Sequence, residues 1–248
     1  MTELSRRSLI AASLGAGLAL PSLARAIEGC GEQPNTAPAL QPPRLLTDWA
    51  WLDRYRQANV ELKASGAKVD AVFLGDSITE GWASTDPDFF AAGNIGRGIS
   101  AQTTPQLLVR MHADVIALKP RVVHIMAGTD DIAQNTGPMS PEDSKNNFMA
   151  MCEIARAHKI HVVLGSVPPA SKYWWRPDLQ PKPIATALND WLRAYAKEIG
   201  AVYADYAAAL TDGNGTVKLN LAKDEVHPTA EGYAAMRPIA EAAIRRKR

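Results

Sequence analysis

Two textures alternate along this chain. Short apolar runs bounded by glycine or polar residues occur at Ala71–Leu74, Arg121–Ala127, His161–Ser166 and Val202–Asp205, and Asn94-Ile95 leads into a glycine-rich stretch. Runs of this length read as buried strands. Between them lie longer segments with apolar residues at helical spacing. Leu107, Leu108, Met111, Val115 and Leu118 give one apolar face to a helix that starts near Thr103 or Thr104, with Pro105 in its first turn. Similar patterns predict helices over 141–158 and 184–199, and a last one from Pro228 to the chain end. Upstream of the first strand, Trp49, Leu52, Tyr55, Val60 and Leu62 predict a helix from about Leu45 to Ser65. A loop rich in Pro and Trp spans 167–183.

Strands alternating with helices of a dozen or more residues argue for an α/β domain: a parallel sheet of five strands covered on both faces, with right-handed crossovers. Ligands of such sheets bind outside the carboxyl ends of the strands. The loops after Leu74, Ile95, Ala127, Ser166 and Asp205 therefore converge on one site. His124, inside a strand, reads as a core or sheet-face histidine.

Composition narrows the classes. The 248 residues are 46% hydrophobic and 21% charged, enough for one sizeable domain. A net charge of +1 gives no reason to expect a nucleic-acid or membrane-surface partner. Two cysteines, Cys30 and Cys152, make neither a disulfide framework nor a metal site, and a bridge between them is not expected. Adjacent Asp130 and Asp131 are not joined by His or Cys, so no metal and no cofactor is expected.

The start of the chain reads as an address. Arg6-Arg7 precede an apolar run from Leu9 to Leu20, and Ala24-Arg25-Ala26 carries small residues where a signal peptidase cuts. This resembles a twin-arginine export signal, and the run is short for a membrane span. The alternatives are an uncleaved anchor or a chance basic start. The expected organisation is a signal peptide over 1–26, a Pro-rich leader over 27–43 and the folded domain over 44–248. The expected location is the bacterial periplasm or beyond, with no stable membrane insertion after cleavage.

Three segments carry chemistry. In Gly75-Asp76-Ser77, a serine follows a strand and opens a helix. Its hydroxyl stands at the sheet's carboxyl edge, near free helix N–H groups. It is either a nucleophile or an ordinary helix cap. In Asp224-Glu225-Val226-His227-Pro228, an Asp three residues before a His can curl back onto Nδ1, leaving Nε2 as a base. Pro228 biases His227 away from helical geometry. The alternative is a helix start with a solvated histidine. The loops Gly96–Ala101 and Gly128–Asp131 offer backbone N–H groups for an oxyanion, or plain turns. Trp174 and Trp175, outside regular structure, form either a substrate wall or a plug over the core. Glu80 and Trp82 read as anchors of the helix after Ser77, Asp131 as a structural hydrogen-bonder and Arg176 as a loop ion-pair partner.

Taken together, GDSITEGW, GISAQTT, AGTDD and DEVHP resemble, in order and spacing, the blocks of the GDSL (SGNH) esterases and lipases, over roughly residues 70–243. The chain resembles the bacterial members described as lysophospholipase- or platelet-activating-factor-acetylhydrolase-like. The resemblance implies a flavodoxin-like three-layer α/β/α sandwich and a serine esterase acting on small-molecule carboxylic esters. It implies Ser77 as nucleophile, His227 as base and Asp224 as its orienter. The family's oxyanion hole uses the serine N–H, a backbone N–H from a block-two glycine and an asparagine side chain. Here those places fall to Ser77, Ala101 and Asp130. Alanine keeps the N–H. An ionised aspartate offers no donor and repels a developing oxyanion. Either Asp130 is protonated, or Thr129 or a water serves instead, or the protein is a weak or inactive relative that binds esters or carbohydrates.

The export reading has a direct check. Arg6→Lys with Arg7→Lys should trap the protein in the cytoplasm, and exported protein should begin near Ile27. Sequencing the N-terminus of secreted material tests both.

Overall fold

The computed structural model describes residues 43–91, 93–212 and 217–246. The chain begins with two short helices, α1 (Arg44–Thr47) and α2 (Arg56–Ala64), then enters β1 (Ala71–Gly75). Helices α3 (Ser77–Thr85) and α4 (Pro87–Ala91) lead to β2 (Asn94–Gly98). Next come α5 (Thr104–Arg110), a π turn over Met111–Val115, a 3-10 turn over Ile116–Leu118, and β3 (Val122–Met126). The short α6 (Thr129–Ile132) precedes α7 (Pro141–Ala157), β4 (His161–Gly165), α8 (Pro181–Ile199) and β5 (Val202–Ala204). The short α9 (Tyr206–Leu210) and α10 (Ala230–Arg245) complete the described chain. Of the signal and leader segments predicted over 1–43, residues 1–42, and with them Cys30, lie outside the described residues. No described helix is long and apolar enough to cross a membrane.

The five strands pair in parallel in the order β2-β1-β3-β4-β5. Successive residues of a strand face opposite ways, so each central strand feeds two cores. Val72, Leu74, Val123 and Ile125 pack with α5, α7 and α8 residues such as Leu107, Phe148 and Leu192. Ala71, Phe73, Val122 and Met126 pack with Trp82, Tyr206 and Met236 of α3, α9 and α10. The result is the expected α/β/α three-layer arrangement. His124 is buried and meets the Tyr206 hydroxyl at 2.8 Å, and burial pushes its pKa down to about 3, so it is a neutral core histidine. Cys152 is a free buried thiol, pushed up to about 12 by burial.

The helix predicted over 45–65 is broken. Trp51 takes φ +53°, outside helical geometry, and the Asp48 carboxylate accepts the backbone N–H groups of Leu52 and Asp53 at 2.8 and 2.9 Å. Its apolar stripe is only partly used: Trp49 and Val60 are exposed, while half-buried Leu62 packs against the core. The residue of α2 that is buried is Asn59. Its amide donates to Asp114 Oδ1 at 2.7 Å, and its carbonyl accepts from the Arg97 guanidinium. The last helix likewise starts at Ala230, two residues after Pro228, with the Thr229 hydroxyl as its cap.

Asn59 belongs to a buried polar knot behind β2. Arg110 Nε pairs with Asp114 Oδ2 at 2.8 Å, and its other nitrogens donate to Gln102 Oε1 and to the Arg97 carbonyl, both at 2.6 Å. Both charged side chains are essentially unexposed. Arg110→Met should therefore cost about 3–5 kcal/mol, because it leaves the Asp114 carboxylate buried without its cation. Joint replacement of Arg110 and Asp114 by apolar residues should cost less than that. Urea unfolding of the single and double variants measures both.

Candidate active site

Three parallel strands end at one level. Gly75 of β1 stands opposite Gly98 of β2 and Met126 of β3. The turn that follows β1 is tight. A Cβ on Gly75 would lie 2.1 Å from Thr79 Oγ1 and 2.5 Å from the Met126 carbonyl, so only glycine fits. Asp76 caps α3, its Oδ1 accepting from Ile78 N at 3.0 Å. Ser77 is then the first residue of the helix and remains half-buried.

Ser77 Oγ lies 2.9 Å from His227 Nε2. His227 comes from the segment before α10, 150 residues away in sequence. Asp224 curls back onto it as the spacing requires. Its Oδ1 accepts the His227 and Val226 backbone N–H groups at 2.7 and 3.2 Å, and its Oδ2 sits 2.8 Å from His227 Nδ1. A carboxylate only accepts, so Nδ1 carries the proton and Nε2 offers its lone pair to the Ser77 hydroxyl. Burial pushes the Asp224 carboxyl up, but the hydrogen bonds from His227 outweigh it and hold the group below the usual carboxylate range. Glu225, at φ +65°, makes the reversal between Asp224 and His227 and pairs with Lys172 of the β4–α8 loop at 3.0 Å.

The loop after β2 is clamped to the helix bearing Ser77. Glu80 Oε2 accepts from Ser100 N at 2.8 Å and from Ser100 Oγ at 2.6 Å, and Glu80 Oε1 accepts from Arg54 at 3.1 Å. Glu80 thus ties two loops together, a role beyond anchoring its own helix. Tyr55 donates to the Gly98 carbonyl at 2.5 Å. Gly98 is pressed against α3, where a Cβ would come 2.1 Å from Glu80 N. Ala101 takes φ +64°, the left-handed region that glycine occupies without strain.

Beside Ser77, at the end of β3, stand two buried acids with unequal surroundings. Asp131 accepts from Thr104 N at 3.0 Å, from Ser144 Oγ at 2.9 Å and from the Thr104 hydroxyl, a structural role as expected. Asp130 has one partner: its Oδ1 accepts from Asn135 Nδ2 at 2.5 Å, while the buried Oδ2 meets no donor. Asn135 is held from the other side by Trp175 Nε1, which donates to Asn135 Oδ1 at 3.0 Å. Burial first, then the charges of Asp76 and Asp131, raise the Asp130 carboxyl well above the usual range. The aromatic loop divides between the two roles considered for it. Tyr173 is buried and stacks on half-buried Trp175, while Trp174 is exposed. Arg176 pairs with Asp178 and also donates to the Ala133 carbonyl at 2.5 Å.

A cavity of about 310 Å³ opens beside this edge, lined by Trp49, Ser100, Ala101, Asn135 and Thr136 among others. Another, of about 260 Å³, opens at the opposite ends of the strands around Val122, His161 and Val202, away from Ser77. Nothing in the sequence marked Asn135 or the contribution of Trp49. Among the described residues no group of three or more His, Cys, Asp or Glu side chains is arranged to hold a metal.

The model of the GDSL-like lipase/acylhydrolase family matches residues 73–235. A candidate acylhydrolase from Bacteroides fragilis is 42% identical over 79% of this chain and 97% of its own, with a TM-score of 0.75. A GDSL-like lipase from Bacteroides thetaiotaomicron is 40% identical over 79% and 98%, with a TM-score of 0.74. A variant of an acetylxylan esterase from Geobacillus stearothermophilus shares the fold at 19% identity over 73% and 97%, with a TM-score of 0.60. No curated protein matches the chain.

The left-handed alanine has a measurable consequence. Ala101→Gly should relieve strain of about 1 kcal/mol, offset in part by the extra freedom of glycine in the unfolded chain, so its net effect on stability should stay within about 1 kcal/mol. Any bulkier β-branched residue there should cost more. Thermal unfolding of Ala101→Gly and Ala101→Val gives the comparison.

Proposed function

The chain belongs to the GDSL-like lipase/acylhydrolase family and is an ester hydrolase on that ground; we propose that it works as a serine esterase through an acyl-enzyme on Ser77. The observation that carries this reading is the unbroken relay from Ser77 Oγ to His227 Nε2 at 2.9 Å and from His227 Nδ1 to Asp224 Oδ2 at 2.8 Å.

In the proposed mechanism His227 Nε2 takes the hydroxyl proton as Ser77 Oγ attacks the ester carbonyl. Asp224 holds the ring and balances the imidazolium. The carbonyl oxygen, now an anion, is received by the backbone N–H groups of Ser77 and Ala101. Collapse breaks the bond to the alcohol, which leaves with the proton from His227. Water then enters, gives a proton to His227 and attacks the acyl-enzyme; the acyl–Oγ bond breaks, the acid leaves, and His227 returns the proton to Ser77 Oγ.

The cavity beside Ala101 and the exposed Trp174 face suit a compact ester better than a long lipid chain. We therefore favour short acyl groups on a polar alcohol, such as an acetylated sugar, with Trp174 and Trp175 forming one wall. Export by the twin-arginine route would place this activity outside the cytoplasm.

The test is hydrolysis of p-nitrophenyl acetate together with labelling by a fluorophosphonate. Ser77→Ala should abolish both while changing stability by no more than about 1 kcal/mol. His227→Ala should cost nearly as much, about 10⁶ in kcat, and Asp224→Asn less, about 10⁴, because it disturbs the tautomer and leaves the base. Labelling at another serine, or binding of esters without turnover that depends on Ser77, would overturn the reading.

A further inference from the structure

Three buried carboxyls crowd the carboxyl edge of the sheet, and the catalytic relay uses none of them. They differ in how many donors serve them. Asp131 is met by a backbone N–H and two hydroxyls. Asp76 is met by the N–H groups at the start of α3, although burial still pushes it up to about 7. Asp130 receives the Asn135 amide alone. When carboxyls share one low-dielectric site, the proton settles on the group whose charge is least solvated by donors. That group is Asp130.

The same contacts decide which oxygen carries the proton. Trp175 Nε1 can only donate, so it fixes the carbonyl oxygen of Asn135 towards itself and turns the amide nitrogen to Asp130. Oδ1 is therefore occupied as an acceptor. Oδ2 is buried without an acceptor or donor in reach. A hydroxyl on Oδ2 is thus a donor waiting for an acceptor. The fold places it beside the chemistry: β1 and β3 are neighbours with Gly75 opposite Met126, and the Asp130 side chain feels the charge of Asp76, the residue before Ser77.

Resting on the proposed role of Ser77, we propose that Asp130 is a catalytic residue in its carboxylic acid form. Its Oδ2–H donates a hydrogen bond to the carbonyl oxygen of the ester as that oxygen becomes an anion. The proton stays on Asp130 throughout; no bond of the acid is made or broken.

The surroundings of Asp130 support this at every side. Asp76 faces it from the β1–α3 turn and Asp131 from α6, both acidic. Buried Tyr173 faces it from the β4–α8 loop, its hydroxyl pushed further up by burial and by the three acids. The nearby Arg176 guanidinium is engaged with Asp178 and the Ala133 carbonyl. Thr129, next in the chain, has a buried hydroxyl without a partner. No cation bears on Asp130 among these groups; the Asn135 amide favours its ionised form, and burial with the two neighbouring acids outweighs that contact.

The consequence is a working range bounded by two different residues. His227 must be unprotonated to act as base, so activity rises from the acid side. Asp130 must be protonated to act as donor, so activity falls as pH rises through its raised value, where the donor disappears and a negative charge replaces it. Asp130→Asn supplies a donor at every pH. Its profile should keep the acid limb and lose the alkaline one, with kcat above wild type by about 10² where wild type has fallen away. Asp130→Ala should lower kcat by about 10²–10³ at the wild-type optimum with KM little changed. In wild type, the infrared band of a protonated carboxyl should titrate with the midpoint of the alkaline limb. That band requires no variant to fold.

The inference is overturned if Asp130→Asn reproduces the wild-type profile, if Asp130→Ala is harmless while Thr129→Val is damaging, or if no carboxyl band follows the alkaline limb. Fluorophosphonate labelling of Ser77 separates the two levels. If Ser77 labels and these results fail, Asp130 alone is misassigned. If Ser77 does not label, the esterase reading fails with it.

Discussion

Parallel pairing of β1 with β2 on one side and β3 on the other is the constraint on which everything else rests. Parallel strands need crossovers, crossovers put helices on both faces, and helices on both faces demand strands apolar on both sides. Ala71–Leu74 meets that demand, sending alternate residues into two separate cores. The register then brings the ends of three strands to one level. Ser77, the Ser100–Ala101 loop and the Asp130 turn are the next residues out. The relay partners His227 and Asp224 come from farther along the chain, riding in together on the segment before α10.

Close approach is the second theme. Gly75 and Gly98 are glycines because backbone or side-chain atoms stand where a Cβ would be. Glu80 exploits that proximity, reaching from the Ser77 helix to the neighbouring loop and holding it through two hydrogen bonds. Burial pushes its carboxyl up, but the Ser100 and Arg54 contacts outweigh it and keep Glu80 below the usual range. Two carboxylates at the same edge thus end in opposite states. Glu80 is held low because donors surround it, and Asp130 is pushed up because a single donor reaches it.

Much of this was legible in the sequence. The strands were visible as apolar runs, and the Asp-x-x-His spacing before Pro228 foretold a bond that the structure forms at 2.8 Å. What escaped were features with no periodic signature. The spacing of apolar residues predicts a helix over 45–65, yet the left-handed backbone at Trp51 interrupts it. Asn135 and Trp175 are forty residues apart and meet only through the fold. The buried knot of Asn59, Arg97, Arg110 and Asp114 reads in one dimension as scattered surface polarity. The state of Asp130 depends on how many donors reach it, which sequence spacing does not encode.

That knot also redraws the edge of the domain. The family match begins at residue 73, yet Asn59 and Tyr55 lie before it and hold Arg97 and the Gly98 carbonyl within it. The Trp49 and Ala50 carbonyls accept from Gln106 and Gln102 in the same way. Residues 49–59 therefore belong to the cooperative unit that unfolds with β2, and their amides should share its slow hydrogen exchange. The family-model match begins inside the first strand, while the mechanical lining of the loop after β2 begins some twenty residues earlier.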